Sequence, residues 1–489
     1  MHSLPIIGTD LTKLNDVLDS LGFDKKVQAD IKTAFYKRLS EMAHALYGGV
    51  MQTLPRCATP NLSWLNVWYT PGVSMVSTAI RDDNERSFEL TARGSTVAVV
   101  SDSTRVLGDG DCTPPGGMGV MEGKAFLMKY LGGIDAVPLC MDSRDRSGKH
   151  VPERIIDFVR MVQPSFGAIN LEDISQPNCF FALDALRSSC DIPVWHDDAQ
   201  GTACVTLAGL YNALKLVNKS LRDVKIVLFG SGAANTTIAR LLLAEGADAE
   251  RLVLIDKNGP LHKNRKDLAQ GQEHYVQWGL AQKTNTMMID TVEAAMNTAD
   301  VLIALSAPGP GIIKHDWVAR MSKDAIVFAC ANPVPEIWPH EARAAGARIV
   351  ATGRGDFPNQ VNNSVCFPGI LKGVLLARAR AISDSMAIRC AHSIAEYAEK
   401  KGLQDDYIIP GMEEAELFAK EAADVAVQAE REGLSRKPVV WQEIYDTALA
   451  DIRRAQAAYL LMMQHKLIEQ IPETIIQEAL EWAITKSSL

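Results

Sequence analysis

The chain has 489 residues, 47% of them hydrophobic and 22% charged, with a formal net charge of −9. This length predicts two or three domains rather than one core, and the acidic balance argues against nucleic acid or an anionic membrane as the main partner. Nine cysteines without a CxxC pair, no apolar run long enough for a membrane span and no targeting presequence predict a cytoplasmic protein with reduced thiols.

Two amphipathic patterns in the N-terminal region predict helices. Apolar residues recur at helical spacing over 11–21, and a second such pattern over 26–47 ends at Gly48-Gly49. We expect their apolar faces to pack on another domain or another subunit.

A tyrosine next to a turn follows this region. Tyr69 precedes Thr70-Pro71-Gly72, and Pro-Gly typically fixes a turn. Such a turn would hold the phenol ring at the rim of a cleft. Half-buried packing of the ring is the ordinary structural alternative.

Two candidate cationic residues, Arg105 and Lys124, follow the next apolar run and the glycine-rich stretch after it. Residues 96–100 predict a buried strand that leads into the polar segment 101–105, which ends in Arg105, and residues 108–117 predict a flexible segment. A helical pattern then begins at Lys124. This start would place Lys124 in a first turn, where the helix dipole and desolvation would lower its pKa and suit it to act as a base. A simple solvated lysine remains the alternative.

Two acidic pairs each follow a short apolar run. Glu172-Asp173 comes after the run 166–169, and Asp197-Asp198 comes after the run 192–195. Acids at the ends of buried strands commonly face a cleft, and hard oxygen ligands suit Mg²⁺ or Mn²⁺. Two solvated loops with ordinary acidic caps are the competing interpretation.

From Lys225 onward, apolar strand patterns alternate with helical patterns, which predicts a doubly wound parallel sheet. The candidate strands are Lys225 to Phe229, Arg251 to Asp256, Asp300 to Ser306, Ala325 to Asn332 and Arg348 to Thr352. A loop over 353–363 rich in Asn and Gln could donate amides to carboxylates or could cap its own backbone. From Leu371 the pattern is mostly helical. We expect three domains, at 1–205, 206–380 and 381–489, with the last one packing back on the first.

The first of these strands leads into a glycine loop, Gly230-Ser231-Gly232-Ala233-Ala234-Asn235. Gly230 would form the tight turn, and Gly232 would let the backbone approach a pyrophosphate at the helix N-terminus. Asn235 stands where the fingerprint has its third glycine, so the match is imperfect.

An acid at the end of the next strand bears on cofactor choice. Asp256 would bind ribose hydroxyls and repel a 2′-phosphate, which favours NAD. The basic residues Lys257, Lys263, Arg265 and Lys266 follow closely and could offset that repulsion. The sequence therefore leans slightly to NAD over NADP.

In combination these features resemble the malic enzyme family. The resemblance covers about Tyr69 to Gly369 and is carried by Tyr69 to Val73, Glu122 to Lys124, Asn170 to Ile174, His196 to Thr202, Ser306 to Gly309, Ala331 to Pro333 and Asn359 to Asn363. Two departures are Asn235 and the substrate-loop segment 109–115. The resemblance implies an α/β protein, with a Rossmann-type doubly wound parallel sheet domain, an α/β substrate and metal domain, and helical N- and C-terminal segments.

The resemblance also implies an activity, namely metal-dependent oxidative decarboxylation of L-malate to pyruvate and CO₂ with reduction of NAD or NADP. Lys124 would take the proton from the C2 hydroxyl, Tyr69 would protonate C3 of enolpyruvate, and Asp197 would tune the lysine. The Mg²⁺ or Mn²⁺ ligands would be Glu172, Asp173 and Asp198.

Further roles follow from the same resemblance. Arg105 would bind the second malate carboxylate, with a surface arginine paired to Asp109 as the alternative. Substrate or the nicotinamide end would be bound by Asn332, Asn362 and Asn363. The cofactor-binding set would be Gly230, Ser231, Gly232, Ala233, Ala234, Asn235, Asp256, Lys257, Ser306 and Asn332.

Three other activities remain open on the residues alone. A protein with the same acids and Lys124 could decarboxylate oxaloacetate or convert malate to lactate without net use of cofactor. A catalytically silent dinucleotide sensor would instead be expected to lack an acid, the lysine or the tyrosine. The expected assembly is a homodimer or higher homo-oligomer that handles malate, oxaloacetate and pyruvate, without nucleic acid or membrane partners.

Overall fold

The computed structural model describes residues 6–106 and 108–487. The described residues divide into two compact units, one formed by residues between 57 and 454 and the other by residues 6–56 together with 455–487. No helix among the described residues is long and apolar enough to cross a membrane.

The larger unit contains two sheets, and its ten strands are numbered in chain order. They are β1 (Thr96–Ser101), β2 (Asp135–Cys140), β3 (Ala168–Leu171), β4 (Val194–His196), β5 (Ile226–Phe229), β6 (Leu252–Asp256), β7 (Gly259–Pro260), β8 (Val301–Ala304), β9 (Ala325–Ala329) and β10 (Ala347–Thr352).

The helices of the described chain are likewise numbered in order. They are α1 (Leu14–Ser20), α2 (Lys25–Tyr47), α3 (Leu65–Trp68), α4 (Val73–Asp82), α5 (Ser87–Leu90), α6 (Thr113–Gly132), α7 (Pro152–Val162), α8 (Asn178–Ser189), α9 (Thr202–Leu216), α10 (Ala233–Ala244), α11 (Tyr275–Ala281), α12 (Val292–Met296), α13 (His315–Val318), α14 (Pro339–Ala344), α15 (Phe367–Ala377), α16 (Asp384–Lys401), α17 (Ala415–Arg431), α18 (Trp441–Gln464) and α19 (Glu473–Ser487). Short 3₁₀ turns and one π-helical turn, Asp197–Gly201, complete the helical elements.

The first sheet has four parallel strands in the order β2-β1-β3-β4. Every residue of β1, β3 and β4 is buried, because helices cover both faces of a parallel sheet. The carboxyl ends of β1, β3 and β4 therefore meet at one edge. This edge carries both acidic pairs.

The second sheet has the order β10-β9-β8-β5-β6-β7. It is parallel, as the sequence predicted, except for the two-residue strand β7 at its edge, which pairs antiparallel with β6. The two residues between β6 and β7, Lys257 and Asn258, do not suffice for a helical crossover, and the chain returns by a tight turn instead. The strand order reverses at β5, which lies between β8 and β6. Open α/β sheets commonly bind ligands at such a switch point.

Helix α6 corrects one sequence prediction. It begins at Thr113 rather than at Lys124, so the glycine-rich stretch is partly helical and Lys124 lies well inside the helix. Two prolines at the first helical positions pre-set the backbone angle there. The glycines have a packing role, since a Cβ on Gly117 would lie 2.0 Å from the hydroxyl oxygen of Ser103. Tertiary packing thus outweighed the low helix propensity of glycine.

The smaller unit explains the N-terminal amphipathic patterns. Leu18 of α1 and Ile31 and Phe35 of α2 pack with Ile476 and Leu480 of α19 in a core of their own. The apolar faces predicted from the first 47 residues are therefore covered partly by the C-terminal helix of the same chain.

The later helices of the larger unit surround α9 and α15. Helix α16 contacts α9, and α17 contacts both α15 and α16. A small apolar cluster of Leu131, Phe418 and Ile452 joins α6, α17 and α18. The segment between residues 381 and 454 is thus packed against helices of both sheets.

Candidate active site

Lys124 lies in a buried cluster of carboxylates at the carboxyl edge of the first sheet. Its Nζ is 2.6 Å from Asp197 Oδ2 and 2.9 Å from Glu172 Oε1. The ring of Phe367 lies 4.3 Å from the same nitrogen. Lys124 is 8% exposed and Asp197 fully buried, so the lysine is not the solvated residue of the alternative interpretation.

Strand ends position the two acids that contact Lys124. Glu172 directly follows β3, and Asn170 Nδ2 donates to its Oε2 at 2.8 Å. Asp197 opens the π-helical turn between β4 and α9, and its Oδ1 accepts a hydrogen bond from Trp195 Nε1 at 3.0 Å. Each carboxylate is therefore oriented by a side chain two residues before it on the same strand.

The electrostatics of the cluster differ from the sequence prediction for Lys124. Burial lowers the pKa of the Lys124 ammonium, but the charges of Asp197 and Glu172 outweigh burial and raise this pKa above its usual range. The predicted lowering is therefore wrong for the chain alone, because two carboxylates contact the lysine. For Glu172, burial raises the pKa well above normal, Lys124 opposes the rise, and the neighbouring acids add to it.

The remaining two acids of the pairs lie beside this cluster. Asp198 Oδ2 accepts a hydrogen bond from the Asp173 N–H at 2.8 Å, and its side chain is 37% exposed. Four carboxylates with one ammonium leave a net negative charge at the sheet edge. Hard, partly buried oxygen donors of this kind fit Mg²⁺ or Mn²⁺, so Glu172, Asp173 and Asp198 suit the predicted metal.

His196 is a residue of this edge that the sequence interpretation passed over. It is fully buried, and neither ring nitrogen has a hydrogen-bond partner within the described ranges. Burial lowers the pKa of the imidazole, and the nearby Asp198 and Asp197 oppose this effect. Its position directly before the Asp197-Asp198 pair was the available signal.

Two predicted residues are not brought into the cluster. Tyr69 is 73% exposed, and its hydroxyl has no hydrogen-bond partner among the described residues. The half-buried packing of the structural alternative is therefore not found in the single chain. Arg105 is also exposed, and its side chain forms no ion pair in the described part of the chain. Its backbone N–H donates to the Asp173 carbonyl at 3.0 Å, so the backbone beside Arg105 is tied to the acid edge.

The glycine loop lies at the switch point of the second sheet. Gly230 follows β5 with φ of +102°, and a Cβ there would lie 2.5 Å from the Leu305 carbonyl. Ala233 and Ala234 open α10, after Ser231 and Gly232, and nothing lies within 4 Å of a Cβ on Gly232. The open space beside Gly232 and the free helix N-terminus fit the pyrophosphate of a dinucleotide.

Asn235 explains the imperfect fingerprint. Its side chain is buried, and Nδ2 donates to the carbonyls of Phe229 at 3.0 Å and Gly230 at 2.9 Å. The amide thus closes the strand-to-helix turn from inside. A hydrogen-bonded side chain here replaces the close packing that a third glycine would permit.

Asp256 lies at the end of β6, as predicted, but it is already paired. Arg265 Nη2 lies 2.7 Å from Asp256 Oδ2 and Nη1 lies 3.2 Å from Oδ1. Arg265 also contacts Asp267 at 2.7 Å, whereas Lys257 is exposed. The repulsion that an unpaired Asp256 would exert on a 2′-phosphate is therefore reduced.

The three predicted asparagines, Asn332, Asn362 and Asn363, lie in different surroundings. Asn362 accepts a hydrogen bond from the Ser364 N–H at 3.0 Å, which is the backbone-capping alternative. Asn363 lies close to the acids, since a Cβ on Gly201 would lie 2.0 Å from Asp197 Oδ1 and 3.3 Å from Asn363 Cβ. Asn332 is exposed and follows β9.

Comparison with known proteins decides the family. Residues 53–187 match the family model "Malic enzyme, N-terminal domain", and residues 199–430 match "Malic enzyme, NAD binding domain". The chain belongs to the malic enzyme family.

Three relatives illustrate the breadth of the malic enzymes. The NAD-dependent malic enzyme of Geobacillus stearothermophilus is 43% identical over 80% of this chain and 78% of its own length. A bifunctional malic/malolactic enzyme of Bacillus subtilis (strain 168) is 38% identical over 82% and 95%. The crystal structure of Entamoeba histolytica malic enzyme matches with a TM-score of 0.96 and 53% identity, covering 99% of this chain and 100% of that one.

One further buried acid of this malic enzyme chain, Glu336, holds the loops that follow β8 and β9 in the second sheet. Glu336 Oε1 accepts hydrogen bonds from the N–H and the hydroxyl of Ser306, at 2.8 and 3.1 Å, and its Oε2 accepts one from the Ala331 N–H at 3.0 Å. Burial raises the pKa of Glu336, and these donors oppose the rise. The sequence signal was an acid inside the apolar run that follows Asn332-Pro333.

Proposed function

We propose that this chain catalyses the metal-dependent oxidative decarboxylation of L-malate to pyruvate and CO₂ with reduction of NAD or NADP. The observation that carries the proposal is the buried Lys124, held between Asp197 and Glu172 and next to the Asp173–Asp198 hydrogen bond. One edge thus combines a proton carrier with a ligand set for a hard cation.

Lys124 has the position of a base for the C2 hydroxyl of malate. In the chain alone its two carboxylate contacts keep it protonated. Glu172, Asp173 and Asp198 would hold a divalent ion, which would supply Lewis acidity toward the substrate and positive charge that lowers the proton affinity of nearby groups. Asp197, which stays in contact with Lys124, orients the amine and sets how readily it accepts and returns the proton.

The nicotinamide cofactor supplies the hydride acceptor when it is bound at the second sheet. Gly230, Gly232 and the start of α10 would receive its pyrophosphate, and Asp256 its ribose. Because Arg265 neutralises Asp256, we now expect both NAD and NADP to be accepted. Ser306 and Asn332, held near Glu336, would contact the nicotinamide end.

Arg105 would bind the malate carboxylate that is remote from C2. Its backbone is tied to Asp173, while its exposed side chain is free to turn toward a ligand. A guanidinium can hold a carboxylate with two parallel hydrogen bonds. Ion pairing with Asp109, the alternative interpretation, is not among the described contacts.

Tyr69 would protonate C3 of enolpyruvate, but a largely exposed phenol in the single chain cannot do this in a site closed to water. The segment 62–75 around it exposes several large apolar side chains, namely Leu62, Trp64, Leu65, Val67, Trp68 and Met75. Contiguous exposed apolar residues commonly mark an interface. We therefore propose a homodimer in which a second copy covers this segment and Tyr69 serves a site completed by both chains.

The activity is tested with malate, Mn²⁺ and each cofactor in turn, following reduced nicotinamide and pyruvate together. Equal yields of both products support oxidative decarboxylation. Lactate formed without net reduction would instead establish the malolactic alternative. Lys124→Ala should abolish malate oxidation, and Tyr69→Phe should chiefly slow tritium exchange into pyruvate.

The composite site is tested by refolding Lys124→Ala and Tyr69→Phe chains together. If each site takes its lysine and its tyrosine from different chains, mixed dimers contain one intact site, and about a quarter of the wild-type rate of tritium exchange into pyruvate returns. A mixture that exchanges tritium no faster than either variant alone would place Tyr69 in the site of its own chain.

A further inference from the structure

A second cluster of potential ligands lies in the helical layer beside the active site and has no role in the reaction above. The thiols of Cys204, Cys366 and Cys390 are fully buried, and their sulfur atoms all lie within 4.8 Å of one another. The Sγ atoms of Cys366 and Cys390 are 3.8 Å apart. Three residues far apart in sequence thus converge on one point.

The geometry of the three thiols fits a tetrahedral metal centre. Zinc binds cysteine sulfur at about 2.3 Å, so two sulfurs of one tetrahedron are separated by about 3.8 Å. The Cys366–Cys390 separation equals this value. The third thiol, Cys204, lies close enough to turn toward the same point, and its Sγ donates to the Ala387 carbonyl at 3.2 Å.

A buried carboxyl group beside the three thiols is the candidate fourth donor. Glu421 of α17 is fully buried, and neither side-chain oxygen accepts a hydrogen bond from a nitrogen or oxygen donor among the described residues; the thiol of Cys390, a weak donor, is its polar neighbour. An unpartnered buried carboxyl is costly, and such groups are normally paired or bind a metal. Burial raises the pKa of Glu421 well above normal, and the Cys390 thiol opposes the rise, which places the carboxyl beside the thiol cluster.

The backbone leaves room for this carboxyl. A Cβ on Gly369 of α15 would lie 2.0 Å from Glu421 Oε2. Any larger residue at position 369 would displace the carboxyl group. Gly369 therefore permits α15 and α17 to approach with Glu421 directed between them.

We propose that Cys204, Cys366, Cys390 and Glu421 form a structural Zn²⁺ site. Sulfur-rich donors select zinc over the hard ions that suit the carboxylate cluster, and four protein ligands leave no open position for catalysis. Binding displaces the three thiol protons and the proton of the Glu421 carboxyl group. The ion cross-links α9, α16 and α17 to the start of α15, where Phe367 contacts Lys124.

The first test measures metal in the full-length protein. Wild-type protein from zinc-supplemented cells is dialysed against a chelator and analysed by elemental mass spectrometry, with about one Zn²⁺ per chain expected. Cys366→Ser and Cys390→Ser should lose most of this zinc. Cys330→Ser removes a buried thiol outside the cluster, and Cys57→Ser an exposed one, so both should retain it.

The second test does not depend on a folded variant. Protein produced with cobalt should show the thiolate-to-cobalt charge-transfer absorption that only cysteine ligands give. Asp198→Asn, which alters the carboxylate cluster, should leave this band unchanged. Wild-type protein with nine reduced thiols that retains no zinc and shows no cobalt–thiolate band would overturn the proposal, and the cluster would then be a neutral packed core.

Discussion

Replacing Lys124 with methionine isolates the electrostatic role of this lysine. Methionine keeps an unbranched apolar chain of similar reach and removes only the ammonium. At an effective dielectric constant of about 20, a pair at 2.6 Å attracts by roughly 6 kcal/mol, before desolvation is counted. Because Asp197 and Glu172 would remain buried without their cation, we expect Lys124→Met to lower the free energy of unfolding by about 3–5 kcal/mol without metal.

The same change should strengthen the response to metal. Without the ammonium, the carboxylates repel one another more strongly and attract a divalent ion more strongly. Thermal unfolding in chelator should show Lys124→Met below wild type, and added Mn²⁺ should stabilise the variant more than wild type. Mn²⁺ at a hundred times its Kd would contribute about 2.7 kcal/mol, so it should restore a large part of the loss.

Lys372→Met is a matched control. Lys372 is also a buried lysine, 2.7 Å from Asp451, but Asp451 lies outside the carboxylate cluster. Its replacement should destabilise the protein but leave the stabilisation by added Mn²⁺ equal to that of wild type. If Lys124→Met unfolds like wild type in chelator, or if both variants respond equally to Mn²⁺, the assigned electrostatic balance is wrong.

Four further outcomes are expected. Asp198→Asn should abolish turnover and weaken Mn²⁺ binding measured by calorimetry; an unchanged affinity would remove Asp198 from the ligand set. Arg265→Ala frees the charge of Asp256, so kcat/KM for NADP should fall relative to NAD by roughly tenfold, about 1.4 kcal/mol, and an unchanged ratio would refute this role. Arg105→Ala should lose about 2–4 kcal/mol of transition-state binding, with Arg105→Lys recovering part of it; wild-type kcat/KM for malate would make the residue structural. Burial disfavours the charged form of Asp424, but hydrogen bonds from a neighbouring lysine and serine outweigh burial and hold its pKa at about 2, below the usual 3.8. The charged carboxylate therefore stabilises the fold by about 2 kcal/mol above pH 4, and this contribution is lost as the pH falls toward 2. In urea titrations Asp424→Asn should lack this acid dependence.

The sequence by itself determined the alternation of strands and helices and the residues at the strand ends. Period-two and continuous apolar runs are local signals, so β1, β5 and β6 were predicted to within about a residue. The acidic pairs could be placed at one edge because the carboxyl ends of parallel strands must meet there. The family followed from the order of these motifs.

Only the tertiary structure decided the environment of each side chain. Helix α6 starts earlier than its sequence suggested, because packing and two prolines outweighed the glycines. The charge state of Lys124 and the pairing of Asp256 with Arg265 depend on contacts between separate segments. The three clustered cysteines come from α9, α16 and the residue before α15, and their spacing in the sequence does not predict that they meet. A sequence pattern specifies which face of an element is buried, whereas burial and charge at a site depend on which elements the fold brings together.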